Sequence, residues 1–389
     1  MSYDSRLKFS SFDELRVVQR TNIFQIKSIY GVSKLRDVTT GNVTQAGGEF
    51  VLSNAGDGDT TILDTAERCP YEAGFSGEGG IGVRFPAKPP AGVTISWGII
   101  GNLDGWAFRL TENGIYRVVL RDGVESTLVQ LGAWNEDGTE ILLKGGTVGS
   151  FKPSDGYNYQ LEYSWYAYGP TFYSFQLRSQ SRSSAQWVEE IGRSRPEGEP
   201  SVTDPQQPLR VQITSEAGAD PYTMYVGGRQ FSILGPYEPI SRKTVIENTV
   251  SVDDDAWVPV MAVRRKAITP YALTQIESIF LRFEGALKVL IVLNPTLPSP
   301  NYVAVPDYDD NETLLEVDFT PCTTFGSDGG TLLNYLQLDS GSKNAPGSDR
   351  RLLERLPMIE QQPFVIYLRR FTGNKNIDVD AFIGFTEEY

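Results

Sequence analysis

The sequence predicts an all-β protein built from two antiparallel β-sandwich domains with few short helices. The chain has 389 residues, which exceeds the size of a comfortable single core and favours two domains. Its 38 glycines and 23 prolines interrupt it often, as turns between short strands do. Between these interruptions, apolar and polar residues alternate with a period of two, which is the pattern of half-buried strands.

The strand patterns are clearest in four segments. Apolar residues alternate with polar or small residues over 93–99, 106–110 and 377–385. Residues 157–178 form a predicted hairpin. Its core face carries Tyr157, Tyr159, Leu161, Tyr163, Trp165, Tyr173, Phe175 and Leu177. Asp-Gly or Asn-Gly pairs, typical of hairpin turns, begin at residues 104, 113, 122 and 137.

Helices and domain boundaries are expected at few places. A capping box formed by Ser11 and Glu14 predicts a helix over 11–20, and a second short helix is expected over 349–356. We divide the chain into an N-terminal arm (1–28), which is a possible attachment segment, a first sandwich (29–234), a linker (235–250) and a second sandwich (251–389). The linker is placed where two prolines, Pro236 and Pro239, interrupt the strand patterning.

Charge and composition exclude several classes of function. The net charge of −14 repels phosphate backbones, so we expect no nucleic-acid partner. No apolar stretch has the length of a membrane span, and the N-terminus has no signal-peptide pattern, so we expect synthesis in a cytoplasm without membrane insertion. The chain has no histidine, which removes histidine-based catalysis and His-ligated metals. Cys69 and Cys322 are expected to be two buried thiols, and no cofactor is expected.

Carboxylate patterns offer one weak metal candidate and no catalytic pair. Asp307, Asp309 and Asn311 match the start of a calcium loop, but Glu312 and Asp318 occupy the positions of the required Gly and Glu. An acidic turn and an irregular cation site both remain open there. Glycosidases need two carboxylates roughly 5–10 Å apart. Glu162 shares a predicted face with Gln160 and Ser164 and has no obvious partner, so we expect no enzyme activity.

Three aromatic residues do not fit the predicted core face of the hairpin. Tyr166, Tyr168 and Phe172 cluster near its turn, where exposed aromatic rings can pack against a neighbouring subunit or stack on sugar rings. Subunit packing, incidental exposure and glycan contact all remain open for them.

Much of the chain resembles a family of virion proteins of tailed bacteriophages, many from aquatic and cyanobacterial hosts. The resemblance is carried by the segments 29–31, 47–52, 65–71, 86–92, 97–98, 105–108, 120–123, 159–165 and 172–177. It implies a concanavalin-like jelly roll for the first sandwich, similar to lectin and laminin-G modules, and a C-terminal sandwich from about residue 257.

The resemblance also implies a role. It points to a structural protein of the virion: a tail, neck or baseplate fibre, or a capsid-attached component. Such a protein acts by assembly, and some members also attach to the host. The implied partners are other copies of the chain, as a homotrimer, and other virion proteins, with a host glycan as a further candidate. The alternatives are a host-glycan-binding adhesin and a polysaccharide depolymerase.

Overall fold

The computed structural model describes residues 20–33, 36–71, 74–144, 149–163, 168–177, 187–196, 198–235, 241–253, 256–266, 273–284, 286–306, 308, 313–321, 330–338, 362–371 and 376–388. They are nearly all strand and turn, with two single-turn 3₁₀ helices at Ser28–Tyr30 and Pro153–Asp155. Every strand pairing among them is antiparallel. The predicted all-β class with antiparallel sheets is therefore confirmed.

The chain divides into two compact units, residues 1–238 and 239–389. The strands of the first unit are β1 (Arg20–Lys27), β2 (Asp37–Thr40), β3 (Asn42–Ala46), β4 (Glu49–Asn54), β5 (Thr60–Arg68), β6 (Ser76–Arg84), β7 (Val93–Ile100), β8 (Gly105–Thr111), β9 (Gly114–Arg121), β10 (Val124–Trp134), β11 (Ile141–Leu143), β12 (Ser150–Phe151), β13 (Tyr157–Tyr163), β14 (Thr171–Leu177), β15 (Trp187–Ser194), β16 (Pro208–Ser215) and β17 (Tyr222–Leu234).

These strands form two sheets packed as a sandwich. Sheet I has the order β15-β14-β13-β6-β17-β4-β3, and β1 pairs with β17 beyond the end of β4. Sheet II has the order β12-β11-β10-β9-β8-β7-β16-β5-β2. The chain crosses between the sheets at each step from β4 to β7, which gives the jelly-roll type of connection.

Aromatic rings from both sheets fill the core of the first unit. Trp97 of sheet II is fully buried and stacks on Phe108, with ring centroids 5.6 Å apart. Tyr159 of sheet I meets Trp97 edge-on at 5.0 Å. Burial of such rings supplies most of the stabilising free energy of a sandwich of this size. The predicted core faces of the 93–99, 106–110 and 157–177 segments are thus confirmed where the side chains are described.

A buried ion pair also joins the two sheets. Arg229 of β17 contacts Asp37 of β2, and both side chains are fully buried. The guanidinium of Arg229 lies 5.3 Å from the ring centre of Phe50. Burial lowers the pKa of Arg229 from its ordinary value, and the neighbouring Asp37 carboxylate opposes that shift.

The second unit is a smaller antiparallel β-sandwich. Its strands are β18 (Ser241–Val252), β19 (Val258–Arg265), β20 (Leu273–Arg282), β21 (Leu287–Leu293), β22 (Val303–Ala304), β23 (Leu315–Asp318), β24 (Thr331–Leu338), β25 (Phe364–Arg370) and β26 (Ile377–Glu388). Their sheets have the orders β18-β26-β20 and β22-β23-β19-β25-β21-β24. The predicted core face of 377–385 is confirmed, since Val379, Ala381, Ile383 and Phe385 are fully buried.

Several predicted boundaries differ from the structure. Residues 20–27, assigned to the N-terminal arm, form β1 because their backbone completes the edge that β17 presents beyond β4. Residues 241–250, assigned to the linker, belong to β18, which pairs with β26 along its whole length. The helix predicted over 11–20 lies outside the described residues except for Arg20, which begins β1, and the helix over 349–356 lies wholly outside them.

The predicted turns and one predicted thiol agree with the structure. All four Gly-containing pairs lie where one strand ends and the next begins, and Asp122 and Gly123 both have positive φ, as a tight hairpin turn requires.

Cys69 is buried without a disulfide, and burial raises the pKa of its thiol. Cys322 lies outside the described residues. Among the residues placed by the structure, no helix is long and apolar enough to cross a membrane.

Candidate functional site

The outward face of sheet I forms a polar trough with a volume of about 490 Å³. Its floor includes a row of residues in register on four neighbouring strands. From β13 to β1 this amide row is Gln160, Gly80, Gln230 and Gln25. Three strand spacings make the row about 14 Å long. The trough is therefore wide enough at this level for a ligand that crosses the strands.

Glycines keep the floor of the trough low. A Cβ atom on Gly80 would lie 3.3 Å from Cγ of Gln230, and one on Gly82 would lie 2.9 Å from Oδ1 of Asn158. Gly227 and Gly228 of β17 line the same part of the trough. Because glycine weakens a strand interior, it often marks a place where another molecule approaches the backbone closely.

Five of the trough-lining side chains are amides, and the charged side chains of Arg20, Lys27 and Glu78 line it as well. Besides the glutamines of the amide row, Asn158 donates from Nδ2 to Oε1 of Gln176 at 2.8 Å, one step further along the strands. An amide carries two donors and an oxygen acceptor in one plane. Such groups can hydrogen-bond two adjacent hydroxyls of a ligand at once, without a net charge.

Two carboxylates lie directly across from each other at one end of the trough. Glu78 of β6 is opposite Glu162 of β13, and the two side chains are 4% and 3% exposed. Directly opposite residues on one face have Cβ atoms about 5 Å apart. Glu78 lines the trough and forms an ion pair with Arg20 at 2.9 Å, whereas Glu162 lies just beyond its lining.

The sequence pattern did not reveal Glu78 as the neighbour of Glu162. Eighty-four residues separate the two along the chain, and only the pairing of β6 with β13 brings them together. A signal was present within β6, because Ser76, Glu78, Gly80 and Gly82 alternate as the small or polar face of a strand. Which strand lies beside β6 could not be inferred from that alternation.

A second cavity of about 410 Å³ continues the trough at its other end. The two cavities share Gly82, Asn158, Gln176 and Gly227 in their linings. In the second cavity Arg84 forms an ion pair with Glu49, with Nε 3.2 Å from Oε1.

The guanidinium of Arg84 also lies 3.9 Å from the ring centre of Tyr225. The hydrogen bond and charge of Glu49 raise the pKa of Arg84. Each end of the extended trough therefore holds an ion pair whose charges are matched within the protein.

The candidate residues predicted from the sequence fall in different places. Phe172 of β14 is on the trough face directly across from Glu162, and the guanidinium of Arg193 lies 4.7 Å from its ring centre. Tyr168 is 61% exposed in the turn before β14. Tyr166 and the weak metal candidates Asp307, Asp309 and Asn311 lie outside the described residues. Within the described ranges, no group of three or more acidic or cysteine side chains is placed to hold a metal ion.

No protein-family model and no curated protein matches the chain. Among solved structures, a β-glucanase of Bacillus licheniformis is similar at 12% identity, with 54% of this chain and 96% of that chain covered and a TM-score of 0.34. An endo-1,3-β-glucanase of Streptomyces sioyaensis is similar at 10% identity, with 56% of this chain and 97% of that chain covered and a TM-score of 0.37. A legume lectin-like domain from Entamoeba histolytica is similar at 12% identity, with 50% of this chain and 89% of that chain covered and a TM-score of 0.31. These similarities concern the arrangement of strands and support no conclusion about activity.

Proposed function

We propose that this protein is a non-catalytic, glycan-binding structural component of a tailed-phage virion, and that the trough of sheet I holds the glycan. The amide row over a glycine floor carries the proposal. A sugar presents closely spaced hydroxyls that both donate and accept hydrogen bonds, and planar amides match that pattern. The trough is concave, as small-molecule sites usually are.

The virion setting rests on the sequence resemblance described above. On this proposal the chain reaches its place by assembly into a particle made in the host cytoplasm, as a homotrimer in contact with other virion proteins. It requires neither nucleic acid nor membrane insertion. Mass spectrometry of purified particles tests the location, and native mass measurement of the purified chain tests the trimer. A chain absent from every particle would contradict the virion setting.

Filling the trough floor tests glycan binding directly. Gly80→Val places a β-branched side chain in a strand interior, where such residues are favoured, and the added Cβ atom meets only the flexible side chain of Gln230. We expect binding on a glycan array and by titration calorimetry to be lost while thermal unfolding is unchanged. Thr44→Val is the matched control, because Thr44 lies on β3 of the same sheet and outside the trough lining. Unchanged binding by Gly80→Val would remove the trough from consideration.

The carboxylate pair favours one alternative, a polysaccharide depolymerase. Retaining glycosidases hold two carboxyl groups about 5 Å apart, which the positions of Glu78 and Glu162 allow. The ion pair of Glu78 with Arg20 and the place of Glu162 beyond the trough lining count against this role. Release of reducing ends from host polysaccharide, abolished by Glu78→Gln, would establish the alternative; we expect no release.

A further inference from the structure

The second unit carries two adjacent cations on the outward face of its six-stranded sheet. Lys288 of β21 lies directly opposite Arg369 of β25, and their strand neighbours Leu287 and Leu368 point into the main core of the unit. Like charges directly opposite each other destabilise a sheet. We propose that Lys288 and Arg369 form a second binding site, separate from the trough, which takes the acidic group of a charged sugar.

No carboxylate of the described residues neutralises this cation pair. Neither Lys288 nor Arg369 forms an ion pair with any residue that the structure describes. Arg264 on the same face shows the contrast, because its Nε donates to Glu316 on the neighbouring strand at 2.8 Å. The cation pair is thus unmatched in a chain with 49 acidic and 35 basic residues.

Aromatic rings hold both cations without neutralising them. Nζ of Lys288 lies 4.7 Å from the ring centre of Phe371, and the guanidinium of Arg369 lies 5.5 Å from that of Trp257. A cation–π contact attracts a cation but leaves its N–H groups able to donate. An ammonium and a guanidinium side by side suit a carboxylate, sulfate or phosphate group, whose oxygens accept charge-assisted hydrogen bonds.

The acidic residues nearby leave the cation pair unmatched. The backbone N–H of Arg370 donates to the carbonyl of Asp253, and Oδ1 of Asp253 accepts a backbone N–H of its own turn at 3.2 Å. The acidic residues 254 and 255 lie outside the described residues. Glu284 is exposed between β20 and β21 and has no ion pair with the described cations. Arg370, also without an ion pair there, adds to the local positive charge.

The surroundings of the cation pair favour a sugar as the carrier of the acidic group. Phe371 follows Arg369 by two residues on one side, and Tyr335 is opposite Leu290 on the other side, two residues beyond Lys288. The two aromatic side chains are 42% and 45% exposed. The cations therefore lie between apolar surfaces on which a sugar ring can stack.

The net charge of the chain favours a ligand with isolated acidic groups. A charge of −14 repels a polyanion such as a nucleic acid. A single acidic group responds mainly to the nearest charges, because salt screens more distant carboxylates beyond about 8 Å at physiological ionic strength.

Titration calorimetry with the full chain tests the proposal. Glucuronic acid and glucose 6-sulfate are compared with glucose, which lacks the charge, and with sodium sulfate, which lacks the sugar. We expect both acidic sugars to bind at least about tenfold more tightly than either control, because a charge-assisted hydrogen bond adds about this factor. The advantage over glucose should disappear in about 1 M salt.

Single substitutions locate the site. Lys288→Gln and Arg369→Gln should each weaken binding of the acidic sugars about tenfold. Lys243→Gln is the matched control, because it removes the same charge from an exposed position on β18, in the other sheet of the unit. The unfolding temperature in low salt should not fall in Lys288→Gln, since that substitution removes a repulsion.

The outcomes separate this site from the trough. Unchanged binding of glucuronic acid in both variants, or an equal loss in Lys243→Gln, would overturn the inference. Sodium sulfate binding as tightly as the acidic sugars would also overturn it, by assigning the cations to a free anion. Loss of acidic-sugar binding in Gly80→Val would move that ligand to the trough and overturn the second site. None of these results bears on binding of neutral glycans, which tests the proposed function.

Discussion

The buried ion pair between Arg229 and Asp37 leads to a quantitative prediction about the first sandwich. Replacing Arg229 by Met removes the cation and keeps most of the volume, which leaves the fully buried Asp37 carboxylate without its partner. Removing one member of a buried pair costs about 3–5 kcal/mol of unfolding free energy. We expect Arg229→Met to fall in that range.

The double variant Asp37→Leu with Arg229→Met should recover most of this loss. Replacing a whole buried ion pair by apolar residues is often neutral or stabilising. Nε and Nη1 of Arg229 have no hydrogen-bond partner among the described residues, so the native pair is incompletely satisfied. One cost remains, because the backbone N–H of Ser33 donates to Asp37 at 2.8 Å, and losing that acceptor costs about 1–3 kcal/mol.

Urea unfolding followed by tryptophan emission measures four proteins: the native chain, Arg229→Met, Asp37→Leu and the double variant. Five of the six tryptophans lie in the first unit, so the signal reports mainly on its unfolding. We expect the double variant within about 2 kcal/mol of the native chain and a coupling energy of about 3 kcal/mol between the two positions. A loss below about 1 kcal/mol for Arg229→Met, or additive effects of the two substitutions, would refute the reasoning.

Two further predictions concern other buried carboxylates. Burial raises the pKa of Asp204 from 3.8 to about 6, so its protonation stabilises the folded state below about pH 4, and this stabilisation is lost as the pH rises through about 6. Asp204→Asn should flatten the dependence of the unfolding temperature on pH between these values, and parallel profiles for the two proteins would contradict the assignment. In the second unit, the fully buried Glu387 accepts hydrogen bonds from the Thr313 hydroxyl at 2.9 Å and from the backbone N–H of Leu314. Glu387→Ala leaves these donors unpaired and should cost at least about 2 kcal/mol, whereas Glu387→Gln should cost less. Hydrogen exchange of β26 amides in the full chain measures both, and equal protection in the two variants would contradict the role of the carboxylate.

Local patterns in the sequence were sufficient to predict the fold class. Alternation with a period of two depends only on neighbouring residues. The sequence alone was therefore enough to predict that the side chains of Trp97 and Tyr159 are buried. The same holds for the Asp122-Gly123 turn, whose positive φ angles suit these residue types.

Long-range pairing decided the features that the sequence could not predict. The trough exists because β6 lies between β13 and β17, which places Gly80 between Gln160 and Gln230. No local pattern encodes which strands become neighbours. For the same reason β1 was assigned to an arm, since its partner β17 lies about two hundred residues further along the chain. Of the three aromatic candidates, only Phe172 is placed on the trough face by the described residues.

The two faces of β6 are subject to different requirements, with a consequence for how the protein can diverge. On the inner face, a Cβ atom on Gly77 would lie 2.5 Å from the ring of Tyr163 on the neighbouring strand β13, and one on Gly79 would lie 2.8 Å from Ile99 of the opposite sheet. Neither position can therefore change without displacing a buried core side chain. On the outer face, a Cβ atom on Gly80 would meet only the side chain of Gln230, and one on Gly82 would meet Oδ1 of Asn158 at 2.9 Å and main-chain atoms no closer than 3.7 Å. On the proposed function, mutations at these outer positions would alter the choice of glycan without disturbing the sandwich. Such proteins would then follow changing host surfaces by substitutions at alternate residues of a single strand.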